Sequence, residues 1–185
     1  MKKIGILLLV LTTIQGYSQE KTISVEKSNL NIQTGVFGFW VNNEFRLSNS
    51  IALRAEFGLD TGLFGGDSYD KTGFLLIPTL NIEPRWYYNI AKRANNSKSI
   101  KNNSANFITP VISYHPDWFV ISNYQNINTV SQISIIPKWG MRRNIGQSNF
   151  NYELGAGLGY RAVFFDTKTV NEAALDLHMR IGYNF

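Results

Sequence analysis

Apolar and polar residues alternate strictly along this chain, for 13–15 residues at a stretch, and few folds can use such a pattern. In residues 51–63 one face carries Ile51, Leu53, Ala55, Phe57, Leu59, Thr61 and Leu63, and the other Ala52, Arg54, Glu56, Gly58, Asp60 and Gly62. A period of 2 belongs to a β-strand, whose successive side chains point to opposite faces. The pattern recurs in residues 74–88, 150–164 and 173–185, and in shorter form in 39–47. Residues 106–121 and 131–145 follow it less cleanly, with Pro110, Pro116 and Pro137 predicting bulges or ladder breaks. Seven strands are evident. A meander that closes on itself needs an even number, so an eighth is expected within residues 22–36, with a turn near Gly35 and Gly38.

The length of these stretches separates two all-β architectures. Strands of soluble sandwiches average about 5–6 residues, whereas about 9–11 suffice to cross a bilayer at a tilt. The apolar faces here are broad, and Trp86, Tyr88, Trp118, Trp139, Tyr152 and Tyr183 fall near strand ends, where aromatic girdles sit. The expected fold is a single antiparallel up-and-down transmembrane β-barrel of eight strands. Tight turns are expected at residues 48–50 and 146–149, and longer polar loops at 60–73, 123–130 and 166–172. Residues 89–105 are an exception, a long polar connection on the short-turn end.

The N-terminus reads as an export signal. Lys2 and Lys3 precede the apolar run 4–14, and Gly16 and Ser18 occupy the −3 and −1 positions of a cut before Gln19. The expected division is a signal peptide at 1–18 and a barrel domain at 19–185. Without Lys2 and Lys3 the net charge falls from +5 to +3, which gives no support for nucleic-acid binding. The absence of cysteine excludes disulfides, thiolate metal sites and a lipoprotein anchor, and two histidines without clustered ligands imply no metal or cofactor.

If the apolar faces point outward, the polar faces point into the ring. They carry Glu44, Glu56, Asp60, Glu83, Asp117, Glu153 and Asp176, against Arg46, Arg54, Arg85, Lys138, Arg142, Arg161 and Arg180. Eight strands enclose a space just wide enough for side chains to fill. Charges in it must be paired, because an isolated buried charge costs several kcal/mol. The expected lumen is therefore a neutral ion-pair network that also includes His178, between Asp176 and Arg180. Gly155, Gly157 and Gly159 lack the following helix that a nucleotide loop needs, and are expected to leave room for large neighbours inside.

These features resemble the small outer-membrane β-barrels of the OmpA/OmpX type. The segments FRLSNSIALRAEFGLD, EPRWYYNIAKRA and the terminal LHMRIGYNF look most like porin-like barrel proteins of the Bacteroidota cell envelope. The resemblance implies a monomer in the outer membrane of a Gram-negative bacterium, in contact with its lipid. It also implies folding by the barrel-assembly machinery, which would read Met179, Ile181, Tyr183 and Phe185. A structural or surface-interaction role follows. The alternatives are a membrane-embedded lipid-modifying enzyme, deacylase- or acyltransferase-like, and a narrow channel or small-ligand binder.

For an enzyme the only candidates are Ser113, His115 and Asp117, alternate residues of one strand. Neighbours at i and i+2 lie about 7 Å apart, too far for a direct Ser–His hydrogen bond. The connection 89–105 carries Lys92, Arg93, Lys98 and Lys101 and no acid. It is expected to be a solvated turn, with contact to phosphate headgroups or to an acidic periplasmic partner as the alternative.

Overall fold

A computed structural model describes residues 23–66 and 70–185. The proposed signal peptide lies outside them. The alternating segments form strands β1 (Ser28–Gly35), β2 (Gly38–Arg46), β3 (Ile51–Phe64), β4 (Gly73–Trp86) and β5 (Asn106–His115). They continue as β6 (Ile121–Ser122), β7 (Gln132–Asn144), β8 (Phe150–Phe165) and β9 (Lys168–Asn184). A short helix α1 (Ile90–Asn95) and a 3₁₀ turn (Lys101–Asn103) separate β4 from β5.

All pairings are antiparallel, and each long strand pairs with the next. The sheet closes where β1 meets β9, from Asn31 opposite Asn184 to Gly35 opposite Arg180. Eight strands therefore make a ring, and β6 adds a short edge beside Leu75 and Leu76 of β4. Prolines mark gaps in its ladders. The β4–β5 pairing lapses between Ile82 and Trp86, around Pro84 and Pro110, and the β7–β8 pairing lapses at Ile136 and Pro137. Pro116 follows the last residue of β5. Proline brings no N–H to a ladder, which accounts for the interruptions.

Polarity is reversed relative to a water-soluble core. Outward residues such as Ile32, Phe57, Ile135, Leu177 and Ile181 are exposed, while Arg54, Arg85, Arg142, Glu44, Glu83 and Glu153 are among the most deeply buried side chains. No helix among the described residues is long and apolar enough to cross a membrane.

Two connections differ from expectation. The β8–β9 link is a two-residue turn at 166–167, because Lys168 to Glu172 continue the ladder down to Phe165 opposite Lys168. The polar residues there signalled a loop, but the pairing of β8 with β9 overrode them. Residues 116–131, which contain β6, and 65–72 remain as the long connections on that end of the ring. Residues 89–105 are solvated over most of 91–101 but buried at Ile90 and from Asn103 to Ala105. They fold across the other end of the ring, where Ile90, Ala105, Tyr87 and Phe107 bury together with Val25 and Ala52. Apolar residues spaced along a mostly polar segment were enough to make it a cap.

Candidate functional site

The interior divides into two halves along the ring axis. The half beneath the cap is built around Glu153 of β8. Its carboxylate accepts from Arg54 Nη1 at 3.0 Å, from Arg85 Nη1 and Nη2 at 2.9 and 2.8 Å, and from Arg142 Nε and Nη2 at 2.9 and 2.7 Å. Three other strands, β3, β4 and β7, thus converge on one carboxylate of β8, because their inward residues share a level in the ring. Glu44 of β2 accepts from Arg142 Nη2 at 2.7 Å and Arg85 Nη1 at 3.3 Å. Its other oxygen accepts from Tyr87 Oη at 2.8 Å and from Asn103 Nδ2 at 2.7 Å, which ties the network to the cap. Burial holds the Tyr87 phenol well above its ordinary pKa, so it stays a donor. Asn102 and Asn103 both adopt positive φ (54° and 59°), a conformation asparagine tolerates better than most side chains, and the turn they make points Asn103 into the ring. The Arg85 guanidinium lies 4.1 Å from the Phe107 ring centre.

Midway along the axis, Glu56 accepts from Arg180 Nη1 at 2.8 and 3.0 Å, from Arg54, and from Asn81 Nδ2 at 2.8 Å. Glu83 accepts from Arg85 Nε at 2.8 Å and lies 3.8 Å from Lys138 Nζ. Lys138 donates to Asp176 at 3.0 Å and lies 3.2 Å from His178 Nδ1. His178 Nε2 comes within 3.3 Å of Glu153 without the alignment of a hydrogen bond.

The other half is open. A cavity of about 490 Å³ lies between Trp40, Asp60, Val111, His115, Ile136 and Asp176. On β8 the inward sites at this level are Gly155, Gly157 and Gly159, and they leave room for large neighbours, the His178 ring and Ile136, which lie over them. A Cβ on Gly155 would sit 2.6 Å from the His178 ring, and one on Gly159 2.2 Å from the Ile135 carbonyl oxygen. At the cavity mouth Asp60 accepts from Trp40 Nε1 at 2.7 Å and pairs with His115 Nε2 at 2.7 Å. The Arg180 guanidinium stacks 3.7 Å over the Trp40 ring.

Of the residues expected in the lumen network, Glu44, Arg54, Glu56, Glu83, Arg85, Lys138, Arg142, Glu153, Asp176, His178 and Arg180 are brought together as described. Three others are not. Arg46 stands at the end of β2 with no ion pair among the described residues. Arg161 pairs with Glu172 on the rim, where both side chains are more than a third exposed. Asp117 is exposed beyond the end of β5, because Pro116 stops the strand before it. Strand parity puts all three inward; Asp117 departs because it lies past the end of β5, whereas Arg46 and Arg161 stay within paired spans and stand too near the ends of the ring to reach the network.

The Ser113–His115–Asp117 set is likewise not assembled. Ser113 faces the cavity across from Ser134, while His115 takes Asp60 of β3 as its partner. That pair joins residues 55 positions apart, and no local spacing signals it. Among the described residues no group of three or more His, Asp or Glu side chains is placed to hold a metal. Tyr87, Asn103 and Asn81 belong to the site and were not singled out as network members, being uncharged. Compared with family models, characterised proteins and solved structures, the chain finds no match.

Proposed function

We propose that this chain is a transmembrane β-barrel of a Gram-negative outer membrane whose lumen is occluded and whose role is structural or interactive. One observation carries the reading: the ring is apolar outside and ionic inside. An exposed apolar surface that runs around every strand exceeds the few hundred Å² usual for a water-soluble monomer, and it matches a wall solvated by lipid. A closed antiparallel ladder satisfies most backbone groups within the sheet, as a lipid solvent requires, its gaps falling around prolines. Trp86, Tyr88 and Trp139 cluster near the cap end, where Trp139 Nε1 donates to Tyr88 Oη at 3.0 Å, an arrangement suited to a membrane interface. The fully buried ion-pair level around Glu153 supports an occluded lumen beneath the cap. The exposed alternating residues Met179, Ile181, Tyr183 and Phe185 suit recognition by the assembly machinery.

In bacteria making the full chain, the protein is expected in the outer-membrane fraction, with heat-modifiable gel mobility and no steady conductance in planar bilayers. Recovery as a soluble periplasmic monomer overturns the membrane reading, and steady conductance overturns occlusion. Leu177 faces outward near the middle of β9, where a cation in lipid costs ~2–4 kcal/mol, so Leu177→Lys should lower the amount of inserted protein.

A small-ligand binder is the second reading, favoured by the open cavity and by the buried His115 Nδ1, which has no hydrogen-bond partner. An enzyme reading has less support, since Ser113 and His115 form no hydrogen-bonded pair.

A further inference from the structure

On the reading that the outer wall meets lipid, we propose that Arg93, Arg143, Lys92, Lys98 and Tyr88 form a binding site for the phosphate of an anionic glycerophospholipid. The site is a pocket of about 460 Å³ on the outer rim at the cap end, lined by these side chains and two asparagines, with no carboxylate. Four bases share it without an acid to neutralise them. The Arg93 and Arg143 side chains both line it. Like charges held together repel, and an anion between them removes that cost.

The hydrogen-bond inventory leaves donors free for such an anion. Arg93 gives one Nη2 bond to the Ser99 carbonyl at 2.9 Å, while its Nε is a buried donor with no partner. Arg143 is held in place by bonds from Nη1 to the Arg142 carbonyl and from Nη2 to Asn106. Tyr88 Oη accepts from Trp139 Nε1 at 3.0 Å and from Asn106 Nδ2 at 3.1 Å, and among the described residues its own proton has no acceptor. Arginine forks, ammonium groups and a phenol are the usual partners of phosphate oxygens. Lys101 does not join them. It donates to Asn149 at 2.8 Å, across the gap to the β7–β8 turn.

Position selects lipid over a soluble phosphate. Tyr88 belongs both to the pocket and to the outward aromatic cluster, packing edge-on against Trp86 with ring centres 6.0 Å apart. A headgroup seated among the bases would place its acyl chains along the apolar wall below, covering Trp86 and Trp139, both exposed. A free phosphate would gain nothing from that wall.

The test is native mass spectrometry of the full chain released from nanodiscs, with phosphatidylglycerol, phosphatidylcholine or inorganic phosphate as the probe. Wild type should retain phosphatidylglycerol over phosphatidylcholine, and Arg93→Gln with Arg143→Gln should lower that retention roughly 10-fold. Because Arg143 also braces Asn106, the exposed pair Lys92→Gln and Lys98→Gln provides a second variant that leaves those bonds intact, and it should lose retention severalfold. Equal retention by wild type and the lysine variant, with both inserted, overturns the headgroup site alone. Inorganic phosphate binding as well as the lipid overturns the lipid assignment. A wild-type chain that fails to enter nanodiscs overturns the membrane reading and this site with it.

Discussion

The two halves of the interior are built from the same strands and reach opposite outcomes. Beneath the cap, long charged side chains from β2, β3, β4, β7 and β8 meet at one level, and Glu44 and Glu153 are each satisfied by several donors. At the other end the inward positions of β8 are glycine with His178 and Ile136 leaning over them, and a cavity remains between Trp40, Asp60, Val111 and His115. The β1–β9 seam ends at Gly35 opposite Arg180, so β9 runs on past it at the open end. The halves differ in this closure, in inward side-chain volume and in whether a connection folds over the end. The filling of the interior is therefore local: a few buried arginines and a 17-residue connection, counting residues 89–105, produce it.

The strongest way to break the comparison is to remove the hub of the filled half. Glu153→Ala leaves Arg54, Arg85 and Arg142 facing one another in a buried site, and breaking a buried ion pair in this way costs ~3–5 kcal/mol. The midpoint of denaturant unfolding in lipid vesicles should drop accordingly. An unchanged midpoint would mean that water already reaches this level and the two halves do not differ.

A smaller effect is expected from packing. Gly140 of β7 lies against the Phe107 ring, and a Cβ there would come within 2.3 Å of its Cζ. The ring is itself fixed by Arg85 and by the edge of Tyr87, with ring centres 5.6 Å apart. Gly140→Val should overpack the filled half by ~1–3 kcal/mol, read by the same unfolding midpoint. Accelerated proteolysis within residues 89–105 would show in addition that the cap had been lifted.

The smallest effect belongs to the open rim. Arg161→Gln removes the pair with Glu172, in which both side chains are well exposed, and such pairs are worth ~0–1 kcal/mol. Its unfolding midpoint should stay near that of wild type. A loss as large as that of Glu153→Ala would mean that the rim is as structural as the hub.

Much of this architecture was legible because strand parity is a local property. Once Arg54 and Phe57 stand on opposite faces of one strand, a closed sheet must put one inside and one outside. The hidden eighth strand, the inward glycines and the prolines at ladder gaps follow from the same local chemistry. Parity misled where pairing stopped, as at Asp117 past Pro116, and where turn-like residues proved to be strand, as at Thr169 and Asn171.

By itself, then, the sequence determined which residues face inward, since alternation along a strand needs no partner to be read. Which inward residues meet was decided only by the tertiary structure. Glu153 touches Arg54 across 99 positions, and Asp60 takes His115 in place of any neighbour of its own. Those pairings depend on strand register and on level within the closed ring, and a linear chain carries neither until its two ends are joined along β1 and β9. The cap depended on the same closure. Only a ring has an end to cover, and only over that end do Ile90, Ala105 and Asn103 become buried.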